Sequence, residues 1–95
     1  MVLPKNSFEI LYHSHVPRKD LPKLSAEIRR KIREAIEQKL VFSPQQYGEP
    51  LRRTLKGYWK LRVGDYRVIY KVDGKTVIIL RIGHRREVYE REIRE

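Results

Sequence analysis

The clearest pattern lies between Ala26 and Leu40. Ile28, Ile32, Ala35, Ile36 and Leu40 recur there at helical spacing, and Arg29, Arg30, Arg33, Glu34 and Glu37 fall between them. That spacing predicts an amphipathic helix with one buried stripe and a charged side facing water. Ser25 precedes it and can cap it, because a serine oxygen accepts from a backbone N–H that the first turn leaves unpaired. Ser43-Pro44 should end it. Pro44 to Pro50, which includes Gly48, reads as a loop. Further upstream, Ser7 to Tyr12 (SFEILY) is short, apolar and aromatic, as a strand requires. Between the two, a short helix is expected to start near Pro17, since proline suits a first turn. Pro22 should end it.

The second half of the chain alternates with period two. In Tyr58 to Val63, Trp59, Leu61 and Val63 point one way and Tyr58, Lys60 and Arg62 the other. Gly64-Asp65 is a two-residue hairpin turn with glycine first. Tyr66 to Val72 alternates in the same manner, so Val63 should face Tyr66 and Arg62 should face Arg67. Asp73-Gly74 marks a second hairpin whose register is open. A two-residue loop puts Leu80 opposite Arg67. A three-residue loop ending at Lys75 puts Arg81 there, and is preferred because it turns Ile78, Leu80 and Ile82 to the core. Val77 and Ile79 then lie on the other, partly covered face. Thr76 to Ile82 is the most apolar run and reads as a central strand that Gly83 ends. Val88 to Arg94 forms either a helical turn or two, or a loose tail.

Strand, two helices and a three-strand meander make an α+β domain spanning 1–95: a small antiparallel sheet with both helices on one face. The stripe of the long helix should pack on Trp59, Leu61, Val63, Tyr66, Val68 and Tyr70. The opposite face then carries Tyr58, Lys60, Arg62 and Arg67.

Composition narrows the chemistry. The 95 residues include 22 Lys and Arg against 12 Asp and Glu, a net charge of +10. Such a field favours polyanionic partners: nucleic acid, a ribosome or an acidic protein segment. With no cysteine, disulfides, Cys-ligated zinc and thiol catalysis are excluded. There is no run long enough for a membrane span and no cationic-then-apolar leader, so a cytoplasmic protein is expected.

The charge is concentrated. Leu51 to Gly64 holds Arg52, Arg53, Lys56, Lys60 and Arg62 and no acid. Arg62 directly opposite Arg67 is a destabilising pairing, which a bound phosphate would offset through the planar donor fork of arginine. The same residues also fit an ordinary solvated face. His84, Arg85, Arg86 and Tyr89 follow the central strand and bring an imidazole, two guanidiniums and a phenol towards one sheet edge. There is no phosphate-cradling glycine loop, no carboxylate pair and no serine triad. His13 and His15, two apart at a strand end, do not suggest a metal site.

Gly57–Val72 (GYWKLRVGDYRVIYKV), followed by Val77–Tyr89 (VIILRIGHRREVY), resembles the RelE/ParE superfamily of type II toxins, on its RelE side. The resemblance also takes in the Leu51–Gly57 approach, the first strand and the helices. It implies an endoribonuclease that cuts messenger RNA in the ribosomal decoding site and is held inactive by a cognate antitoxin protein. The implied reaction is attack of a ribose 2′-OH on the adjacent phosphorus, without metal or cofactor. By this resemblance Lys60 and Arg67 stabilise the scissile phosphate. Arg85, or its neighbour Arg86, supplies a further cation, and Tyr89 orients a base or helps move the proton. Arg52 grips the RNA backbone, with Arg53, Lys56 and Arg62 as further RNA contacts. Tyr58 stands where some members have a lysine. His84 also replaces a lysine of some members and brings an imidazole suited to proton transfer near neutral pH. Two other readings remain: a ParE-like inhibitor of DNA gyrase, and a non-catalytic ribosome or RNA binder.

Overall fold

The computed structural model describes residues 7–51 and 57–88. Arg52, Arg53, Lys56 and Tyr89, and the expected C-terminal segment beyond Val88, lie outside the described residues. The strands are β1 (Glu9–Tyr12), β2 (Glu49–Pro50), β3 (Tyr58–Val63), β4 (Tyr66–Asp73) and β5 (Thr76–His84). They form one sheet in the order β1-β5-β4-β3-β2.

The α+β class holds, but the sheet is mixed rather than wholly antiparallel. The β3–β4–β5 meander is antiparallel, whereas β1 pairs with β5 in parallel, Glu9 facing Thr76 and Tyr12 facing Ile79. A parallel neighbour needs a long connection, and the helical segments after β1 begin that passage. α1 (Ala26–Ala35) starts at Ser25, whose Oγ accepts from the Ile28 N–H at 3.2 Å. The helix continues through Ile36–Leu40 in wider turns, the Val41 N–H reaching the Ile36 carbonyl at 3.2 Å.

The long helix ends at Leu40, ahead of Ser43-Pro44 as expected, and Pro22 and Pro44 lie in the first positions of new helical turns. Val16–Asp20 is helical and runs directly into a 3-10 turn, Leu21–Lys23, with Pro22 in its first positions. Pro44 opens α2 (Pro44–Tyr47), and the segment read as a loop then pairs with β3 through β2. A proline lacks only an N–H that a first turn could not use.

The first hairpin has the expected register: Val63 faces Tyr66 and Arg62 faces Arg67. The second takes neither expected register. Its turn is Gly74-Lys75, between Asp73 and Thr76, and Gly74 has a φ of 60° that glycine tolerates. A bulge then makes Tyr70 face Ile79 while Ile69 faces Arg81, leaving Leu80 as the extra residue. One extra residue reverses the side-chain alternation. Val77 and Ile79 therefore enter the core ahead of the bulge, Ile82 enters it after, and Gly83 stands opposite Arg67.

The main core lies between the helices and one sheet face, as the periodicity requires. Ile32, Ile36 and Leu40 cluster with Leu61, Val68, Tyr70, Val77 and Ile79, and Trp59, Val63 and Tyr66 pack around them. Tyr70 anchors the α2 end. Its buried hydroxyl donates to the Pro44 carbonyl, and burial pushes the phenol pKa well above its usual value. Gly48 is required here by space, because a Cβ would lie 1.7 Å from the Tyr70 hydroxyl oxygen. Among the described residues, no helix is long and apolar enough to cross a membrane.

Candidate functional site

The face of the sheet away from α1 is built at the β3–β4 hairpin tip. Strand alternation places Lys60 and Arg62 there from β3, with Arg67 and Ile69 from β4. Arg67 is only 9% exposed. Its Nη1 donates to the carbonyls of Gly64 at 2.9 Å and Tyr66 at 2.8 Å, which fixes the guanidinium against the turn. Fixing a cation in this way removes much of the side-chain freedom that an incoming anion would otherwise have to order.

The repulsion between Arg62 and Arg67 has an internal answer that the sequence did not reveal. Glu49 on β2 places Oε1 2.9 Å from Arg62 Nε, both side chains about half exposed. Glu49 lies diagonally across the β2–β3 ladder, facing Lys60. The pattern of Pro44 to Pro50 hides this pairing, since a two-residue strand beside a proline carries no period.

The end of β5 closes the site. The chain turns at His84–Val88, with the N–H groups of Glu87 and Val88 both reaching the His84 carbonyl, at 2.9 and 3.0 Å. The Arg85 N–H bonds the Asp65 carbonyl at 2.8 Å and so ties this turn to the hairpin tip. Val88 folds back over Gly83: a Cβ on that glycine would sit 3.6 Å from the Val88 Cβ. Val88, Leu51, Ile69 and Tyr58 form a second, small apolar cluster on this face. The face is therefore partly roofed, with Val88 packed against the side-chain-free backbone of Gly83 opposite Arg67.

The structure divides the expected grouping after the central strand. Arg85 and Arg86 are exposed on the turn, with Arg85 Nε 4.0 Å from Asp65 Oδ1. His84 faces Tyr66, so its ring belongs to the helix-covered side of the sheet. The two rings meet edge to face at 5.5 Å, and His84 Nδ1 accepts from the Arg86 N–H at 3.2 Å. Lys60, half-buried, stays with Arg67 and Arg62. His13 Nδ1 is engaged by the His15 N–H at 3.1 Å. Among the described residues, no group of three or more His, Cys, Asp or Glu could hold a metal ion.

A family model described as the ParE toxin of type II toxin–antitoxin systems, parDE, matches residues 11–89. The chain belongs to the RelE/ParE superfamily of type II toxins. This RelE-like toxin is 41% identical over 76 residues to Toxin RelG of Mycobacterium tuberculosis, covering 78% of the chain and 87% of that relative. It also superposes on a chain of the M. tuberculosis RelBE2 toxin–antitoxin complex with a TM-score of 0.76 and 35% identity, covering 82% and 98% of the two chains. A chain of the RelB–RelE complex of Methanococcus jannaschii gives a TM-score of 0.67 at 27% identity, with 84% and 95% covered. The matched range contains the hairpin tip and the His84–Val88 turn.

Proposed function

We propose that this toxin is a ribosome-dependent messenger RNA endoribonuclease. The observation that carries the reading is the Arg67 guanidinium, fixed at the hairpin tip and opposite a residue without a side chain, with Lys60 and Arg62 on the same face. That arrangement gathers three cationic side chains on one face, where a phosphate would offset their mutual repulsion. Relatives 41%, 32% and 36% identical carry the names RelG, RelE3 and RelE.

In this reading the RNA lies across the hairpin tip. The 2′-OH loses its proton as O2′ attacks the adjacent phosphorus. The bond to O5′ breaks and O5′ gains a proton, giving a 2′,3′-cyclic phosphate and a 5′-OH. Lys60 and Arg67 stabilise the charge that develops on the phosphorane, and Arg85 adds to it from the turn. One such donor is worth about 3 kcal/mol, or about a hundredfold in rate. Tyr89 orients the base or moves the proton. Arg52, Arg53, Lys56, Arg62 and Arg86 hold the backbone. His84, turned towards Tyr66, is assigned to holding the turn rather than to proton transfer. The ribosome aligns O2′ with the leaving oxygen, so naked RNA should be a poor substrate.

The cognate antitoxin is the proposed second partner. A net charge of +10 suits an acidic segment that folds on binding, and both solved relatives above are toxin–antitoxin complexes. Ribosome, messenger RNA and antitoxin together imply action in the cytoplasm.

Primer extension on translated messenger RNA tests the nuclease reading, with the toxin added to programmed ribosomes beside naked RNA and Arg67→Ala. Cuts that need the ribosome and vanish in the variant support it; no cuts from folded toxin reject it. The ParE name of the matching family model favours one second reading, the ParE-like gyrase inhibitor that the sequence resemblance also allows. A supercoiling assay on the same protein would reveal that activity.

A further inference from the structure

β1 stops short of the site. Its last strand pair with β5 is Tyr12 with Ile79, followed by a bond from the His13 N–H to the Ile79 carbonyl at 2.8 Å. β5 runs on to His84, past the bulge at Leu80. This stretch carries Gly83, which faces Arg67, and leads into the turn that bears Arg85. Among the described residues its outer edge has no strand beside it, and a side chain takes that place. Asp20, 62 positions upstream, accepts from the Ile82 N–H through Oδ2 at 2.8 Å. Oδ2 is also 3.5 Å from Arg81 Nε, and Oδ1 is 3.3 Å from His15 Nε2. Asp20 and Arg81 are 5% and 7% exposed.

A buried carboxylate is costly unless paired and hydrogen-bonded. Here it does what β1 no longer does. It satisfies an edge N–H one residue before Gly83, just beyond the point where a bulge loosens the β4–β5 ladder. It also meets the charge of Arg81, which faces Ile69 across that ladder. We propose that Asp20 is a positioning residue of the RNA-cleaving site: it fixes the end of β5, and so the spacing of Gly83 and Arg85 from Arg67, without touching RNA.

The inference rests on the nuclease reading, so its test keeps the two separable. Asp20→Ala, Asp20→Asn and Ser25→Ala are compared with the parent toxin by thermal unfolding and by cleavage rate against ribosome concentration. Amide NMR spectra of Arg67, Ile82, Gly83 and Arg85 are recorded alongside. Ser25→Ala removes the α1 cap and is the stability control. Asp20→Ala should lower the saturating rate about thirtyfold, in line with the cost of an ångström-scale misplacement. The ribosome concentration giving half that rate should stay within about threefold of the parent's. Asp20→Asn retains an oxygen for the Ile82 N–H but loses the charge that meets Arg81, and should cut a few-fold more slowly than the parent. Ser25→Ala should leave the rate unchanged.

A folded Asp20→Ala toxin that cuts at the parent's rate overturns the proposal. So does a loss matched by Ser25→Ala, or one confined to half-saturation. If Asp20→Ala does not fold, Asp20→Asn decides alone: a few-fold drop in saturating rate upholds the role and the parent's rate overturns it. If the parent toxin cuts nothing, the nuclease reading fails on its own, and the spectra decide the positioning. Shifts at Gly83 and Arg85 in the Asp20 variants, absent in Ser25→Ala, uphold it; unshifted resonances overturn it.

Discussion

The two faces of one sheet are held by different physics. The helix-covered face is filled by Ile32, Ile36 and Leu40 against Leu61, Val68 and Tyr70, each making many non-directional contacts. Among the described residues the opposite face has Leu51, Ile69, Val88 and Tyr58 as its apolar cluster, and its charges are placed by directional bonds. Arg67 is held by two carbonyls, Arg62 by Glu49, and the end of β5 by Asp20. The first face should therefore respond to mutation through stability, and the second through activity at nearly unchanged stability.

Arg67→Ala tests that division hardest. It should lower ribosome-dependent cleavage by a factor of about 100–1,000, while loss of the two partly buried hydrogen bonds to the Gly64 and Tyr66 carbonyls changes stability by about 1–2 kcal/mol. Cleavage kinetics and thermal unfolding of the same preparation check both numbers. A large loss of stability would show that the guanidinium is a structural brace and would blur the distinction between the faces.

The mirror-image experiment is Gly48→Ala. The new Cβ would lie 1.7 Å from the Tyr70 hydroxyl oxygen and 2.8 Å from Tyr70 Cζ, on a ring with no exposed surface. Overpacking of this kind costs about 3 kcal/mol, which for a domain this size lowers the melting temperature by at least about 12 °C. Calorimetry should show that fall, with the cleavage rate of the folded fraction unchanged.

Tyr70→Phe is milder and pH-dependent. Loss of the bond to the Pro44 carbonyl should cost about 1–2 kcal/mol at neutral pH. Burial raises the pKa of the folded phenol. The folded state thus holds that proton after the unfolded chain has begun to lose it, at about pH 10. The phenol's contribution is complete below that pH and falls as pH rises above it. Denaturant unfolding from pH 8 to 11 should show an alkaline loss in the parent toxin that is smaller in Tyr70→Phe.

The two faces also differed in how far the sequence disclosed them. The helix-covered side was legible because periods of 3.6 and 2 report burial directly: the Ile32–Leu40 stripe and the Ser25 cap follow from local pattern, and on the opposite face the tight first hairpin disclosed the Arg62–Arg67 pairing. Three elements were not. The β4–β5 register depended on a bulge at Leu80, and a run in which nearly every residue is apolar has no alternation to reveal one. The parallel placement of β1 is a matter of topology, which strand pattern does not encode. Glu49 and Asp20 act on residues far along the chain, one from a segment that reads as a loop and the other from a helical turn that Pro22 seemed to interrupt.

The smallest predicted effect separates the faces most finely. Glu49→Gln removes the carboxylate charge 2.9 Å from Arg62 Nε. Because both side chains are about half in water, the pair should contribute less than about 1 kcal/mol, and the melting temperature should barely move. The electrostatic effect on RNA is separate. With its counter-charge gone, Arg62 can be neutralised by a phosphate. The slope of log affinity for single-stranded RNA against log salt should then steepen by up to about 0.7, the value for one added contact. Affinity measured between 50 and 200 mM salt, with and without the substitution, reads this directly. An unchanged slope would mean that Arg62 does not meet RNA and that Glu49 only joins β2 to β3, confining the phosphate-facing charge to Lys60, Arg67 and the turn.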